Sequence, residues 1–144
     1  MLRVKHLLGE KPSSAEVWSI EAEDPVLEAI QMMADKHVGA LPVMRGTSLV
    51  GIVSERDYAR KVILHGRSSA ETPVWQIMSS PVITVTPEDS VHHCMQVVTE
   101  KRIRHLPVVE KGQLIGMISI GDLVKAVIDE QQETITQLEK YIAS

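Results

Sequence analysis

Two stretches decide the reading of this chain. One is Leu41-Pro42-Val43 followed by Gly51-Ile52-Val53-Ser54-Glu55-Arg56-Asp57. The other is Leu106-Pro107-Val108 followed by Gly116-Met117-Ile118-Ser119-Ile120-Gly121-Asp122. They share Leu-Pro-Val and a Gly-x-x-Ser-x-x-Asp spacing, and the second lies 65 residues after the first (41 to 106, 57 to 122). Extended outward at the same shift, Val17 falls on Val82, Asp24 on Asp89, Val26 on Val91, Gln31 on Gln96 and Leu49 on Leu114. No gap is needed from 17–63 against 82–128. A fixed period over this length marks an internal structural repeat.

Each repeat reads as β-α-β-β-α. An extended piece, Val17–Ile20 or Val82–Val85, leads into an acidic turn, Glu23-Asp24-Pro25 or Pro87-Glu88-Asp89-Ser90, that suits a helix start. Apolar residues then recur at helical spacing: Val26, Ala29, Ile30, Met33 in the first copy and Val91, Cys94, Met95, Val98 in the second. Two short strands follow, joined by Arg45-Gly46-Thr47-Ser48 or Glu110-Lys111-Gly112-Gln113. Ser54 or Ser119 then caps a second helix that starts near Asp57 or Asp122. The predicted fold class is α/β (α+β), with two tandem repeats packed with pseudo-twofold symmetry around a central cleft, because about 60 residues bury too little core alone. The boundaries read 1–70 for the first repeat with its lead-in, 71–130 for the second, and 131–144 for a C-terminal helical extension. Residues 1–16 read as a surface lead-in and 64–76 as a polar linker. The helical pattern after Asp122 continues through Val124, Val127, Ile128, Ile135, Leu138 and Ile142, a stripe suited to docking on the module or pairing with a second copy.

Composition narrows the function classes. Of 144 residues, 44% are hydrophobic, so a real core can form, and aliphatics supply it because Phe is absent. Nineteen acidic against fifteen basic residues give a formal charge of −4, which argues against a nucleic-acid surface. No stretch approaches the 18 or so apolar residues of a membrane span, and the first residues lack a signal-peptide apolar run. Cys94 is the only cysteine, which excludes an intrachain disulfide and fits a reducing compartment. The expected location is therefore cytoplasmic, with no membrane and no nucleic-acid partner.

The repeated Gly-x-x-Ser-x-x-Asp carries the chemistry. A strand glycine allows close approach of a ligand to the backbone. The serine hydroxyl can bond a ligand or cap the helix. The aspartate can accept hydrogen bonds from two adjacent hydroxyls such as a ribose diol, and a helix N-terminus favours phosphate. The plain structural reading makes the serine an N-cap and the aspartate a first-turn acid. Duplication, with Leu-Pro-Val at a fixed distance before each copy, favours a binding role. His92-His93-Cys94 does not read as a metal site, since neighbours on a helix point apart and Cys94 lies on the apolar stripe. Met32, Met33, Met95 and Met117 read as core fillers, and Trp18 and Trp75 suit either packing or a cleft wall. No Walker loop, zinc-protease motif or dinucleotide fingerprint occurs, and no nucleophile stands with an oriented base.

On these residues, Leu41-Pro42-Val43 with Gly51, Ser54 and Asp57, and Leu106-Pro107-Val108 with Gly116, Ser119 and Asp122, the chain resembles the cystathionine-β-synthase (CBS) domain over about residues 1–130. The pair resembles a Bateman module. The resemblance implies a regulatory module, not an enzyme, that binds an adenosine-containing small molecule: AMP, or ADP or ATP, with NAD(H) or S-adenosylmethionine as further members of the class. It places Asp57 and Asp122 on ribose hydroxyls and Ser54 and Ser119 beside ribose or phosphate. The adenine would lie against Val17 to Ser19, Val82 to Thr84 and the strand of Pro107. Arg104 and His105 match phosphate-binding positions. The first repeat has Gly39-Ala40 there instead, and carries Arg56, Arg60 and Lys61 on its second helix, so two non-equivalent sites are expected. These cations favour a phosphorylated ligand. The resemblance further implies a homodimer and a regulated protein partner acted on in trans. A structural dimerisation domain with vestigial pockets is the competing reading, and an unrecognised enzyme a third.

Overall fold

The computed structural model describes residues 2–10 and 17–143. It is mixed α+β, and its elements follow the duplicated order. Helix α1 is Val4–Glu10 and strand β1 is Ile20–Glu21. Helix α2 (Val26–Lys36) precedes strands β2 (Ala40–Arg45) and β3 (Ser48–Ser54). Helix α3 (Glu55–Tyr58) continues as a π-helical turn, Ala59–Ile63. The second copy has α4 (Val91–Lys101), β4 (His105–Glu110), β5 (Gln113–Ser119) and α5 (Ile120–Ala143). The chain divides into two compact units, one of residues 17–83 and the other of 2–10 with 84–143.

Both units use one sheet plan. In the first, β1 pairs parallel with β2 through Ile20 and Val43, and β2 pairs antiparallel with β3 through Leu41 and Val53 and through Val43 and Gly51. In the second, β4 and β5 repeat this register, with Leu106 against Ile118 and Val108 against Gly116. A register slip falls at the same place in both, Val43/Met44 and Val108/Val109. The first strand is shorter than the sequence predicts. Val17–Ser19 lie before β1, and of Val82–Val85 only Val85 is paired, in a single parallel bridge to Val108. Two-residue turns at Gly46 and Gly112 use positive φ, as glycine allows.

The helix starts meet the expectation at α4 and depart from it at α2. Asp24 and Asp89 close the turns before the helices, accepting from the backbone N–H of Glu21 (3.3 Å) and Thr86 (2.8 Å). Ser90 caps α4 by accepting from the His93 N–H (3.0 Å), whereas Pro25 at the head of α2 has no side-chain cap. Helices α2 and α4 end alike, on left-handed His37 and Arg102 (φ 56 and 54). Val26, Ala29 and Met33 bury the inner face of α2 beneath Leu41, Val43 and Val53. Val91, Cys94 and Val98 are the buried face of α4.

Two segments read from sequence as periphery are core. The polar linker contains buried Thr72 and Val74, is followed directly by buried Ile77, and belongs to the first unit. The lead-in carries buried Val4 and Leu7 and belongs to the second unit, not to the first repeat with which the sequence groups it. The two segments do the same job. Val74 N–H bonds Asp24 O and Val4 N–H bonds Asp89 O, both at 2.9 Å. Trp75 N–H bonds Ala22 O and Lys5 N–H bonds Pro87 O, both at 3.0 Å. Thr72 O accepts from Val26 N–H and Leu2 O from Val91 N–H. Each segment thus completes the unit other than the repeat that follows it in sequence. Its spacing is 70 (4 to 74, 7 to 77), so a comparison at 65 misses it.

Candidate ligand site at the strand-to-helix junctions

Each Gly-x-x-Ser-x-x-Asp forms the corner between the last strand of its unit and the following helix. In the first unit the Ser54 N–H and hydroxyl both donate to Asp57 Oδ2 (3.0 Å each), and the Asp57 N–H donates to Ser54 Oγ (3.1 Å). This is a reciprocal capping box, which satisfies two otherwise unpaired helix-start amides. The second unit repeats it: Ser119 N–H donates to Asp122 Oδ2 (2.9 Å) and Asp122 N–H to Ser119 Oγ (3.1 Å). The capping reading of the motif is therefore realised at both places.

Capping limits what Asp57 has left to offer. Its Oδ2 holds two bonds to Ser54, and its Oδ1 pairs with Lys61 Nζ at 3.2 Å. A carboxylate has about four acceptor positions, so one remains, on Oδ1. A two-oxygen grip on a diol is not available while the corner is intact, whereas a single hydroxyl is. Lys61 donates further to Ile77 O (2.9 Å), leaving one of its three donors. The place equivalent to Lys61 in the second unit is Ala126, so the two corners differ in charge.

The remaining candidate residues separate by unit. Val17, Ser19, Ser54, Arg56, Asp57, Arg60, Lys61 and Val82 lie in the first; Thr84, Arg104, His105, Pro107, Ser119 and Asp122 lie in the second. Arg56 and Arg60 are exposed on the helix beside Asp57. In the second unit His105 stands directly across the ladder from Ser119, and Arg104 O accepts from Ile120 N–H (2.8 Å). Arg104, His105, Ser119 and Asp122 therefore gather at one strand end. Gly39 O accepts from Glu55 N–H in the same way (3.1 Å), but without the cations. Val17, Ser19 and Val82 are partly exposed, Thr84 is exposed and Pro107 is buried.

The motif glycines have a different job from the one the sequence suggested. A Cβ on Gly51 would lie 2.6 Å from Met78 Sδ and 2.9 Å from Ser79 O; on Gly116 it would lie 2.6 Å from Leu8 Cδ2. Both glycines admit a neighbouring segment of their own unit: over Gly51 it is held to β3 by Ser79 N–H to Ile52 O (2.8 Å), and over Gly116 it is the Leu8 side chain of α1. Met78 and Leu8 are the residues the sequence reading missed. The only available signal was the faint match of Val74-x-x-Ile77-Met78 to Val4-x-x-Leu7-Leu8. Trp18 lies under Lys36 Nζ, 5.1 Å from the ring centroid, a packing role with a cation–π contact.

Cys94 is inert by its surroundings. Burial, and secondarily the negative charge of Asp89, push its thiol up to about 11 from an ordinary 9.0. The unfolded thiol ionises first as pH rises, so the stability this group lends is present below pH 9.0 and is lost towards 11. Alkylation by iodoacetamide in mildly alkaline buffer is expected to be slow on the folded protein and complete after denaturation. Rapid modification of folded protein, read by mass spectrometry, would contradict this burial.

The fold and its two capped corners define a tandem α+β repeat protein with a pair of related, unequal strand-to-helix corners. The CBS domain family matches the chain twice, over residues 8–64 and 74–129, and the chain belongs to that family. It is 43% identical over 139 residues to the mitochondrial CBS domain-containing protein CBSX3 of Arabidopsis thaliana, covering 93% of this chain and 67% of that one. It is 31% identical to the CBS domain-containing protein YhcV of Bacillus subtilis, covering 76% of this chain and 78% of that one. A solved CBS-domain protein from Burkholderia ambifaria MC40-6 superposes with a TM-score of 0.85 at 50% identity, over 90% of this chain and 96% of that one. Among the described residues no helix is long and apolar enough to cross a membrane.

Proposed function

We propose that the chain is a regulatory, non-catalytic module that binds an adenine nucleotide, AMP or its phosphorylated or dinucleotide relatives, and signals to a separate protein in the cytoplasm. The observation that carries this reading is the concentration of groups at the first corner. A hydroxyl, a carboxylate with one acceptor left, a lysine with one donor left and two exposed arginines lie between Ser54 and Lys61. A ribose hydroxyl takes the vacant Oδ1 position of Asp57, and Arg56, Arg60 and Lys61 face phosphate. At the second corner Asp122 and Ser119 take ribose, and Arg104 and His105 take phosphate. Such a ligand regulates by binding two arrangements of the protein with different affinity.

Hydrogen bonds to a charged group contribute about 1.5–3 kcal/mol, so Asp57→Ala and Asp122→Ala are each expected to weaken binding roughly ten- to hundredfold. Calorimetric titration with AMP, ATP, NADH and S-adenosylmethionine measures this. Because each aspartate also caps a helix, a loss of about 0.5–2 kcal/mol in stability accompanies the change, and thermal melts confirm that the variants remain folded. Wild-type affinity in both variants would remove the aspartates from the site. The complete capping boxes favour a second reading, a structural dimerisation domain. No heat from any of the four ligands with folded wild-type protein would select it.

A further inference from the structure

Lys61 makes two contacts that belong to different parts of the first unit. Its Nζ pairs with Asp57 Oδ1 at 3.2 Å, one turn back, and donates to Ile77 O at 2.9 Å. The first contact is part of the capped corner. The second reaches the segment 74–79, which is held by backbone bonds from Val74 N–H to Asp24 O, Trp75 N–H to Ala22 O and Ser79 N–H to Ile52 O. One flexible side chain therefore joins the corner to that segment. The Lys61 side chain is 44% exposed and that of Asp57 14%, so the lysine is the movable partner. A pair at this exposure is weak, and a lysine loses rotamer freedom whenever it is held. The second unit lacks the connection. Ala126 stands at the place of Lys61 (61 to 126), buried and with no donor on its side chain.

We infer that Lys61 is a positioning residue: it latches the first corner to segment 74–79 and transmits occupancy of that corner to the segment, whereas the second corner has no such link at Ala126. In the free chain the lysine passes between the latched arrangement, with both bonds made, and released ones. Latched, it holds its one unused donor beside the one unused acceptor position on Asp57 Oδ1. A nucleotide that sets phosphate on Nζ and a hydroxyl on Oδ1 binds the latched arrangement better, because only there are the two groups fixed side by side. That difference in affinity shifts the population towards latched lysine, and the bond to Ile77 O persists. The ligand tightens the segment, and by reciprocity the intact latch raises ligand affinity. Trp75, 43% exposed, carries the tightened segment to the surface. The ligand enters on the reading of this corner as a nucleotide site, whereas the latch is a property of the free chain.

Amide hydrogen exchange of the full chain tests both parts. In the free protein Lys61→Met, which keeps the apolar stem and removes the donors, is expected to speed exchange of the Val74, Trp75 and Ser79 amides roughly tenfold. The Val4 and Lys5 amides of the second unit are expected to stay unchanged. Lys61→Arg, which retains a charged donor, is expected to lie closer to wild type, and thermal melts check that both variants are folded. Equal exchange in wild type and Lys61→Met overturns the latch whether or not a nucleotide binds. ATP and AMP are then added at concentrations that calorimetry shows to saturate wild type. Slower exchange at Val74, Trp75 and Ser79 is expected in wild type and not in Lys61→Met, with Val4 and Lys5 unaffected in both. A merely structural lysine would leave the slowing in place in Lys61→Met. That result, or a nucleotide that binds wild type without slowing the segment, overturns the transmission and leaves the nucleotide reading standing. No heat from either nucleotide, with the Lys61→Met difference present, overturns the nucleotide reading and the transmission together and leaves the latch.

Discussion

Replacing Leu41 with alanine is expected to remove about 2–5 kcal/mol of stability, the range for deleting a fully buried leucine side chain. Leu41 is 1% exposed and sits opposite Val53 in the ladder, within the cluster formed by Val26, Ala29, Met33, Val43, Val62, Val74 and Ile77. That cluster draws on α2, both main strands, the π-helical turn and the 72–78 segment, so no single element can close over the void. Small domains carry about 5–15 kcal/mol in total, which makes this a large fraction. Leu41→Met keeps most of the volume and is expected to lose less than about 1.5 kcal/mol. Urea denaturation of both variants decides the matter. An alanine variant within 1 kcal/mol or so of wild type would mean the cluster does not carry the first unit.

The second expectation is an inequality between the motif glycines. Gly51→Ala is expected to destabilise by about 1–3 kcal/mol, the range for overpacking. Its new methyl meets the Ser79 carbonyl, which is tied to β3 through the Ile52 N–H and cannot retreat without breaking that ladder. Gly116→Ala meets one methyl of Leu8 at 2.6 Å, and the next atoms are 3.8 Å away. A rotamer change in Leu8 relieves that contact. Removing a glycine from a strand interior also returns roughly 0.5–1 kcal/mol, which brings the second variant close to neutral. Equal losses in the two, measured by the same unfolding curves, would show that the crossing segments are not what the glycines accommodate.

These two expectations also mark how far the sequence was legible. The repeat at 65, the β-α-β-β-α order and the apolar faces of α2 and α4 could be read because periodicity reports which side of an element is buried. Ser54–Asp57 and Ser119–Asp122 could be located because capping is a local interaction between residues three apart. What the capped aspartate has left for a ligand could not be read, because Lys61 reaches Asp57 by one helical turn but is held by Ile77 O from a distant loop.

The amino-acid sequence by itself determined the family, the duplication, the two corners and the apolar stripe of α5, since each depends on spacing within one element or between related copies. Only the tertiary structure decided that residues 2–8 complete the second unit and 72–78 the first, that Leu8 and Met78 fill the space over Gly116 and Gly51, and that the stripe of α5 stays exposed. Those outcomes depend on which surfaces meet in space. A short segment with two or three apolar residues carries no periodic signal of its own, and its place is set by the backbone hydrogen bonds and the cavity it finds in the folded chain.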